Sequence, residues 1–447
     1  MGKSVGIYTL GCKVNQYESE AIAQALSARG FTVSDPDGAC ELYVVNTCTV
    51  TAESDRKARQ FIRRAHSHNP AAPVLVTGCL AQVAPRSISR MEGVYLVCGN
   101  SNKMAVVDYA VGLLQDGAES VSPVCNVPPL VDAPFERMSI CHFGRTRAYV
   151  KIEDGCENRC TYCIIPAARG PVRSKPEQDV LDEVRTLTEN GCREVVLTGI
   201  ETASWGRDLV DASLGDLLEK VNAIEGIGRI RLGSLDPSLM RKALVDKLAG
   251  LDSLTPHFHL SVQSGSDQVL HRMKRKYNRT QALEAIERLR QAIPGVQLTT
   301  DIIVGFPGES EEDFEQTLDL ARRARFLMIH VFPYSPRAGT PAAEMPDQIP
   351  QHVKKERVRI LRALSNDIRR ELLQQIIDQD PVKQVLFETF REGVATGHTP
   401  EFIEVRVPSD RPLHAQTLSV RLTGVTPDGE ACLGVPEHSP EKETAYV

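Results

Sequence analysis

Near the start of the chain, three strand-like runs each end in a cysteine: Tyr8-Thr9-Leu10-Gly11-Cys12, Val44-Val45-Asn46-Thr47-Cys48 and Leu75-Val76-Thr77-Gly78-Cys79. Helical patterns separate them. Residues 18–29 stop at Gly30, a residue suited to ending a helix, and residues 53–65 put Phe61 and Ile62 on one apolar side. A fourth apolar run covers residues 94–97. Alternation of this kind predicts a parallel sheet covered by helices. Residues at the carboxyl ends of parallel strands converge on one crevice. Three thiols remote in sequence are therefore expected to meet at one point without any local motif. Three thiolates suit a 4Fe-4S cluster that keeps one iron open. Cys98 also ends an apparent strand and is either a fourth ligand or a neighbouring bystander; the bystander reading is preferred. The domain has no GxGxxG or GxxxxGK[ST] phosphate loop, which argues against nucleotide binding there.

Residues 117–134 hold several prolines and little periodicity, so 117–140 reads as a linker after a first domain at 1–116. A second α/β series begins near Arg147. Its strands are expected at 194–197, 230–232, 257–262, 297–304 and 327–332, with helices at 178–189, 281–291 and 311–323. A long basic helix, 351–378, closes this domain, 141–378. Five or six βα units fit a (β/α) barrel, complete or partial. From residue 379 the strand-like runs 385–387, 402–407 and 418–422 are broken by Gly, Pro and Asp, which predicts a small all-β barrel over 379–447. The fold class is thus α/β with an all-β tail.

The second series opens with Gly155-Cys156-Glu157-Asn158-Arg159-Cys160-Thr161-Tyr162-Cys163. CxxxCxxC is not a zinc spacing, which prefers paired CxxC-like ligands. Three thiolates on one loop again suit a 4Fe-4S cluster with an open iron. Such an iron can chelate the amino and carboxylate groups of S-adenosylmethionine, whose reductive cleavage gives a 5′-deoxyadenosyl radical. Twelve cysteines in one chain are then better explained by metal ligation than by disulfides. Cys40, Cys125, Cys141, Cys192 and Cys432 have no partner pattern. No apolar run of about 18 residues occurs, so no membrane span is expected, and the absence of a signal-peptide pattern reads as cytoplasmic. The net charge of −6 leaves any RNA contact to local basic patches.

Cys156, Cys160 and Cys163, with Tyr162 before the last, resemble the cluster loop of the radical S-adenosylmethionine superfamily. Two cysteine triplets in this order, followed by a β-barrel tail, resemble the methylthiotransferase family, over nearly the whole chain. The matching stretches are residues 10–20, 45–51 and 160–170, Gln263-Ser264-Gly265-Ser266 and 300–309. The tail is similar to the TRAM domain, an RNA-binding barrel. The resemblance implies two 4Fe-4S clusters, held by Cys12, Cys48 and Cys79 and by Cys156, Cys160 and Cys163, the latter being catalytic. It also implies S-adenosylmethionine as cofactor and tRNA, a sulfur donor and a flavodoxin- or ferredoxin-type electron donor as partners. In the implied reaction one S-adenosylmethionine methylates a sulfur on the first cluster. A second supplies the radical that abstracts hydrogen from carbon 2 of an adenine, where the methylthio group is placed.

Asn46-Thr47-Cys48-Thr49-Val50-Thr51 and Arg56-Lys57-Ala58-Arg59-Gln60 look most like the branch acting on N6-threonylcarbamoyladenosine beside the anticodon. Other branches act on isopentenyladenosine in tRNA or on an aspartate of a ribosomal protein. A rival of another class is a non-catalytic iron–sulfur RNA-binding redox sensor. Expected cofactor contacts are Tyr162, Gly199, Glu201, Ser234 and Asp301, with Arg169 offered to a carboxylate of cofactor or substrate. Glu201 stands where the family more often has His or Gln, and the segment 233–237 replaces a usual Ser-Ser and Glu. Glu309 is equally a substrate contact or a helix-start acid. Two basic groups, Arg56/Lys57/Arg59/Arg63/Arg64 and Arg272/Lys274/Arg275/Lys276/Arg279, are candidates for phosphate contact. Phe402 reads as core, with base stacking as the other role.

Overall fold

The computed structural model describes residues 3–116 and 123–437. The expected strands of the first domain form at Ser4–Thr9, Leu42–Thr47, Val74–Gly78 and Val94–Cys98, joined by the short edge strands Thr32–Ser34 and Val124–Asn126 in one six-stranded parallel sheet. Its spatial order runs 32–34, 4–9, 42–47, 74–78, 94–98, 124–126. The order reverses between Ser4–Thr9 and Leu42–Thr47, the type of switch point where open α/β sheets bind ligands. The edge strand Val124–Asn126 lies in the segment read as linker; its residues are exposed and give no apolar alternation.

The helix after the first strand begins at Lys13, more than a turn before the expected Glu18, and runs to Ala28. Its first turns hide their periodicity because Asn15, Glu18 and Ser19 are polar yet buried. Helix Ala52–His68 starts on Thr51, whose side chain accepts from Ser54 N, the N-cap arrangement expected of a threonine.

The central domain has two parallel sheets. One has the order Arg229–Leu232, Glu194–Thr198, Ala148–Lys151; the other runs Ser234–Leu235, His257–Gln263, Gln297–Val304, Met328–Pro333. The chain passes from one to the other at Gly233. Edge strands Ala148–Lys151 and Met328–Pro333 are not paired, so this is a partial barrel with an open side. Helix Lys13–Ala28 of the first domain packs against Ala148–Lys151 at that side. The apolar core lies between the strands and outer helices Glu177–Glu189, Leu214–Asn222, Arg279–Ala292 and Glu311–Ala324. Apolar residues of the strands (Phe258, Leu260, Val262) face those helices, leaving alternate polar residues (His257, His259) to the lumen.

Helix Gln351–Gln379 packs on strand Met328–Pro333 and on the tail. The tail is a closed five-stranded barrel in the order Val382–Arg391, Val394–His398, Glu404–Pro408, Cys432–Pro436, Thr417–Val425. Strands Val394–His398 and Cys432–Pro436 escaped the sequence reading because each is short and contains glycine. Residues 438–447 lie outside the described residues. Among the described residues no helix is long and apolar enough to cross a membrane.

Candidate active site

Cys12 and Cys48 follow the two strands that flank the switch point, and Cys79 follows the next strand, Val74–Gly78. The backbone brings them close. A Cβ placed on Gly11 would lie 3.2 Å from Cys48 Sγ. Gly78 has φ +96°, and a Cβ there would strike Thr47 O at 2.4 Å, so only glycine lets the strand turn into Cys79. Burial raises the Cys12 and Cys48 thiols, and the charge of Cys79 raises both further. Cys98 lies one strand further from the switch point, in the apolar core with Val106 and Leu96, where burial pushes its thiol up to about 12.

Beneath this triplet sits a buried charge network. Arg169 is fully buried and every N–H of its guanidinium is engaged. Nε donates to Cys79 Sγ (3.3 Å), Nη1 to Glu18 Oε1 (2.7 Å) and Asp154, and Nη2 to Asn15 Oδ1 (2.6 Å) and Glu18 Oε2 (3.3 Å). Lys151 bridges Glu18 (2.8 Å) and Asp154 (2.6 Å), Lys103 lies 3.5 Å from Glu18, and Arg173 3.5 Å from Asp154. Burial opposes ionisation of Glu18, but Arg169, Lys103 and Lys151 overcome it and hold the carboxyl down at about 2. The same balance keeps Asp154 ionised. Two carboxylates thus face Arg169, Lys151, Lys103 and Arg173. A surplus of buried positive charge needs an anionic partner. A thiolate at Cys79, at which Arg169 Nε is aimed, would meet that need. Arg169, expected to hold a cofactor or substrate carboxylate, instead has no donor to spare: it is a strut between the two domains.

The loop 156–163 carries the second triplet. Gly155 has φ +91°, and a Cβ there would lie 1.8 Å from Pro171 O. Cys156 N then donates to Gly170 O at 2.9 Å. Backbone amides of Asn158 and Ile165 point at Cys156 Sγ and Cys163 Sγ (both 3.4 Å), and Arg275 Nη1 at Cys160 Sγ (3.2 Å). Such donors stabilise thiolates, yet burial still pushes the Cys156 and Cys163 thiols up to about 12 and about 11. Metal ligation is what would keep them ionised. Among the described residues neither cysteine triplet closes to within 4.8 Å. Ligands of one tetrahedral zinc would lie about 3.8 Å apart. Each triplet is thus more widely spaced than the ligands of a single tetrahedral zinc. Gly155→Ala is expected to destabilise the fold by at least about 1–3 kcal/mol and to lose the iron held by Cys156, Cys160 and Cys163, as read by urea denaturation and iron content.

Glu201 follows strand Glu194–Thr198 and lies near Cys156, whose thiol its charge raises. Its backbone N–H donates to Glu153 Oε2 (2.8 Å), and Oε1 accepts from Asp236 N (3.3 Å). Burial, then the Asp236 charge, raises the Glu201 carboxyl to about 7. Glu153, fully buried, is raised well above the carboxylate range by burial, and its Oε1 has no partner. Two poorly ionised carboxyls beside the cluster loop suit an arriving cation such as an amino group. Gly199 is required by Glu153: a Cβ there would sit 2.5 Å from Oε2. Because the folded carboxyl of Glu201 titrates above its unfolded value, its ionisation costs stability. The cost is absent below about pH 4.3 and complete above about pH 7, reaching about 3 kcal/mol. Cluster-free Glu201→Gln should therefore gain stability over the unsubstituted protein at pH 8 and lose that advantage towards pH 4.3, by urea denaturation.

Ser234 is exposed near the carboxyl ends of the barrel strands. Tyr162 packs against Val269, Met273, Phe306 and Tyr334. Asp301 lies inside strand Gln297–Val304 rather than at the barrel mouth. Its Oδ2 is 3.3 Å from His259 Nε2, and His330 stands beside both. Glu309 is structural: it is buried, ion-paired with Arg357 (2.6 Å) and capped by Gly305 N.

Cys12 and Lys13 are exposed at the start of helix Lys13–Ala28. Burial, then the Arg231 and Arg147 charges, lowers the Lys13 ammonium. The amino-terminal end of the barrel is shut by the tail. Phe402 is not strand core; it stacks on His257 (4.9 Å) and His398 (4.5 Å) under the Arg231 guanidinium (4.8 Å). Arg147 and Arg231 pair with buried Glu194 at 2.9 and 3.0 Å.

The basic groups divide unequally. Arg275 is buried, paired with Asp236 (2.7 Å) and aimed at Cys160; Arg272 is committed to Gly308 O and Asp313, and Arg279 to Asp319. Only Lys274 and Lys276 of that group are exposed without an ion pair. In the other group Arg56 pairs with Glu53 and Arg64 with Asp37, while Lys57 and Arg63 point outward. Sequence reasoning missed Asp236, Glu153, Glu18 and Asn15. Buried charges that satisfy each other across domains leave no local pattern.

Residues 150–321 match the family described as Radical SAM superfamily, and residues 4–99 the family described as Uncharacterized protein family UPF0004. The threonylcarbamoyladenosine tRNA methylthiotransferase MtaB of Bacillus subtilis is 40% identical over 412 residues, 90% of each chain. That of Thermotoga maritima is 36% identical over 96% of each. The chain belongs to the radical S-adenosylmethionine tRNA methylthiotransferases. It is a radical enzyme that acts on tRNA, and the family implies a 4Fe-4S cluster and S-adenosylmethionine. The tRNA-2-methylthio-N(6)-dimethylallyladenosine synthase of Carboxydothermus hydrogenoformans is also similar, 38% identical over 83% of this chain and 85% of its own. Among solved structures, the radical S-adenosylmethionine methyltransferase TsrM of Kitasatospora setae shares the fold (TM-score 0.54, 17% identity, 77% of both chains).

Proposed function

We propose that the enzyme converts N6-threonylcarbamoyladenosine beside the tRNA anticodon to its 2-methylthio derivative. Cys156, Cys160 and Cys163 hold the catalytic 4Fe-4S cluster, and Cys12, Cys48 and Cys79 hold a second. When bound, the first cluster and S-adenosylmethionine supply a carbon-centred radical, and the second holds the sulfur to be transferred. Glu201 and Glu153 receive the cofactor's amino group, with Gly199 and Ser234 at its edge and Tyr162 bracing the loop. Arg169 holds the two triplets at a fixed distance and neutralises thiolate charge at Cys12 and Cys79. Asp301 and His259 offer an acceptor and a donor inside the lumen to the base. The barrel lumen shields a radical from water because the tail closes its far end. A flavodoxin- or ferredoxin-type protein supplies electrons and a separate donor the sulfur. The surroundings are cytoplasmic, and Lys57, Arg63, Lys274 and Lys276 are available to phosphates. Residues 1–116, 141–378 and 379–447 serve as sulfur-carrying, radical-generating and RNA-binding domains.

What supports this reading is the buried network in which Arg169 donates to Cys79 and pairs with Asp154, two residues before Cys156. The dimethylallyladenosine reading draws on the Carboxydothermus relative. Mass spectrometry of tRNA nucleosides from a deletion strain separates them: the methylthio-threonylcarbamoyl nucleoside is expected to disappear and to return on complementation. Loss of the methylthio-dimethylallyl nucleoside alone would reassign the substrate.

A further inference from the structure

Arg169 ties the first domain to the barrel on the Cys79 side, and a second tie stands on the Cys48 side. Arg337 lies in the loop that follows strand Met328–Pro333, at the carboxyl end of the barrel. Its Nη1 pairs with Asp55 Oδ2 of helix Ala52–His68 at 2.7 Å, and its Nη2 donates to Thr49 Oγ1, one residue after Cys48. Thr49 Oγ1 in turn donates to Asp55 Oδ1 at 2.6 Å, so guanidinium, hydroxyl and carboxylate form a closed triangle. Thr49 is fully buried, and the side chains of Arg337 and Asp55 are 11% and 19% exposed, so the triangle is largely shielded from water. The loop that carries Arg337 is itself fastened to the other triplet. Thr340 N and Oγ1 both donate to Arg337 O (3.1 and 2.7 Å), and Ala342 N donates to Thr161 O (2.9 Å) inside the loop 156–163. Ala342 and Tyr334 pack in one apolar cluster with Tyr162. A continuous path of hydrogen bonds and short backbone stretches therefore runs from the neighbour of Cys160 to the neighbour of Cys48.

We infer that Arg337 is a positioning residue for sulfur transfer: through Thr49 and Asp55 it holds the Cys48 segment, and with it the sulfur-carrying triplet, in a fixed place relative to the radical-generating loop. This rests on the two-cluster reading above. One strut leaves a body free to swing about it. Arg169 and Arg337 grip the ends of different strands, at Cys79 and at Thr49, and together remove that freedom. Radical formation draws on the barrel alone, on the loop 156–163 and the carboxyls of Glu201 and Glu153. Transfer requires the sulfur to meet carbon 2 of the base, and a misplacement of about 1 Å costs about a hundredfold in rate. Opening the triangle therefore separates the two events: the radical still forms, and the sulfur arrives in the wrong place.

The test uses the full chain with both clusters loaded, incubated anaerobically with dithionite, S-adenosylmethionine and an anticodon stem-loop RNA carrying threonylcarbamoyladenosine. 5′-Deoxyadenosine and the methylthio nucleoside are quantified in the same samples. The proteins are the unsubstituted chain, Arg337→Met, Arg337→Lys, Asp55→Asn and the double variant Arg337→Met with Asp55→Asn, each checked for iron content. Arg337→Met is expected to keep its iron and to release 5′-deoxyadenosine within about twofold of the unsubstituted rate, while kcat for transfer falls about ten- to a hundredfold and KM for the RNA stays within about twofold. Arg337→Lys keeps the charge opposite Asp55 but not the two-armed grip, so it should restore part of the transfer. Asp55→Asn should uncouple the two products in the same direction, and the double variant should be no worse than Arg337→Met, because both changes open one triangle. Loss of iron in every variant, or an equal fall in both products, would make the triangle merely structural and overturn the assignment. A raised KM with kcat kept would make Arg337 an RNA contact and overturn it as well, as would unchanged transfer. Failure of the unsubstituted protein to bind about eight irons would instead strike the two-cluster reading.

Discussion

Replacing Cys156, Cys160 and Cys163 together by alanine is expected to abolish both 5′-deoxyadenosine release and methylthio transfer. Replacing Cys12, Cys48 and Cys79 is expected to abolish only the transfer. The two triplets occupy different structural settings. The first lies on one loop of the barrel, fixed by Gly155 and by backbone amides aimed at its sulfurs. The second is assembled from three strand ends of a separate sheet. Loss of the second leaves the loop 156–163 and the Glu201 and Glu153 carboxyls in place, so reductive cleavage of S-adenosylmethionine should continue. Anaerobic incubation with dithionite and S-adenosylmethionine, followed by chromatography of 5′-deoxyadenosine and of digested RNA, reads both outcomes. A redox sensor would release no 5′-deoxyadenosine in any form. Loss of 5′-deoxyadenosine from both triple variants would contradict the division of labour.

Arg169→Met should be the most damaging single substitution outside the cysteines. It leaves Glu18 and Asp154 without their central partner in a site closed to water and removes the N–H donor from Cys79. Breaking a buried ion pair by removing one member costs about 3–5 kcal/mol, because the survivor remains buried. Arg169→Lys keeps the charge but cannot reach Glu18, Asp154, Asn15 and Cys79 at once, so it should recover only part of the loss. Urea denaturation gives the stability, and iron content shows whether the Cys12, Cys48 and Cys79 site fails first. Stability and iron content unchanged in Arg169→Met would show that the network is not holding the domains together.

Much of this architecture was legible in the sequence because it follows from local periodicity. Strands Leu42–Thr47 and Val74–Gly78 are buried throughout and mostly apolar, as expected of parallel strands covered on both faces, and each announced its cysteine. Strand Gln297–Val304 formed at the expected residues. Helix Lys13–Ala28 was misjudged at its start because Asn15 and Glu18 are buried for the sake of Arg169, a residue about 150 positions away in the chain. Hydrophobic patterning cannot report a polar residue whose partner is supplied by another domain. The same blindness explains Arg169 and Arg275. Guanidinium groups suggested carboxylate or phosphate binding, whereas the fold consumes them internally. Phe402 was assigned to a strand by alternation, but its φ of +68° takes it out of the ladder and turns it into the plug between tail and barrel.

Iron content per chain tests the central claim most directly. With both clusters reconstituted anaerobically, the unsubstituted protein should bind about eight irons, and each of the two triple alanine variants about four. A Cys12, Cys48 and Cys79 triple variant that still binds as much iron as the unsubstituted protein would contradict the second cluster, and with it the account of sulfur transfer.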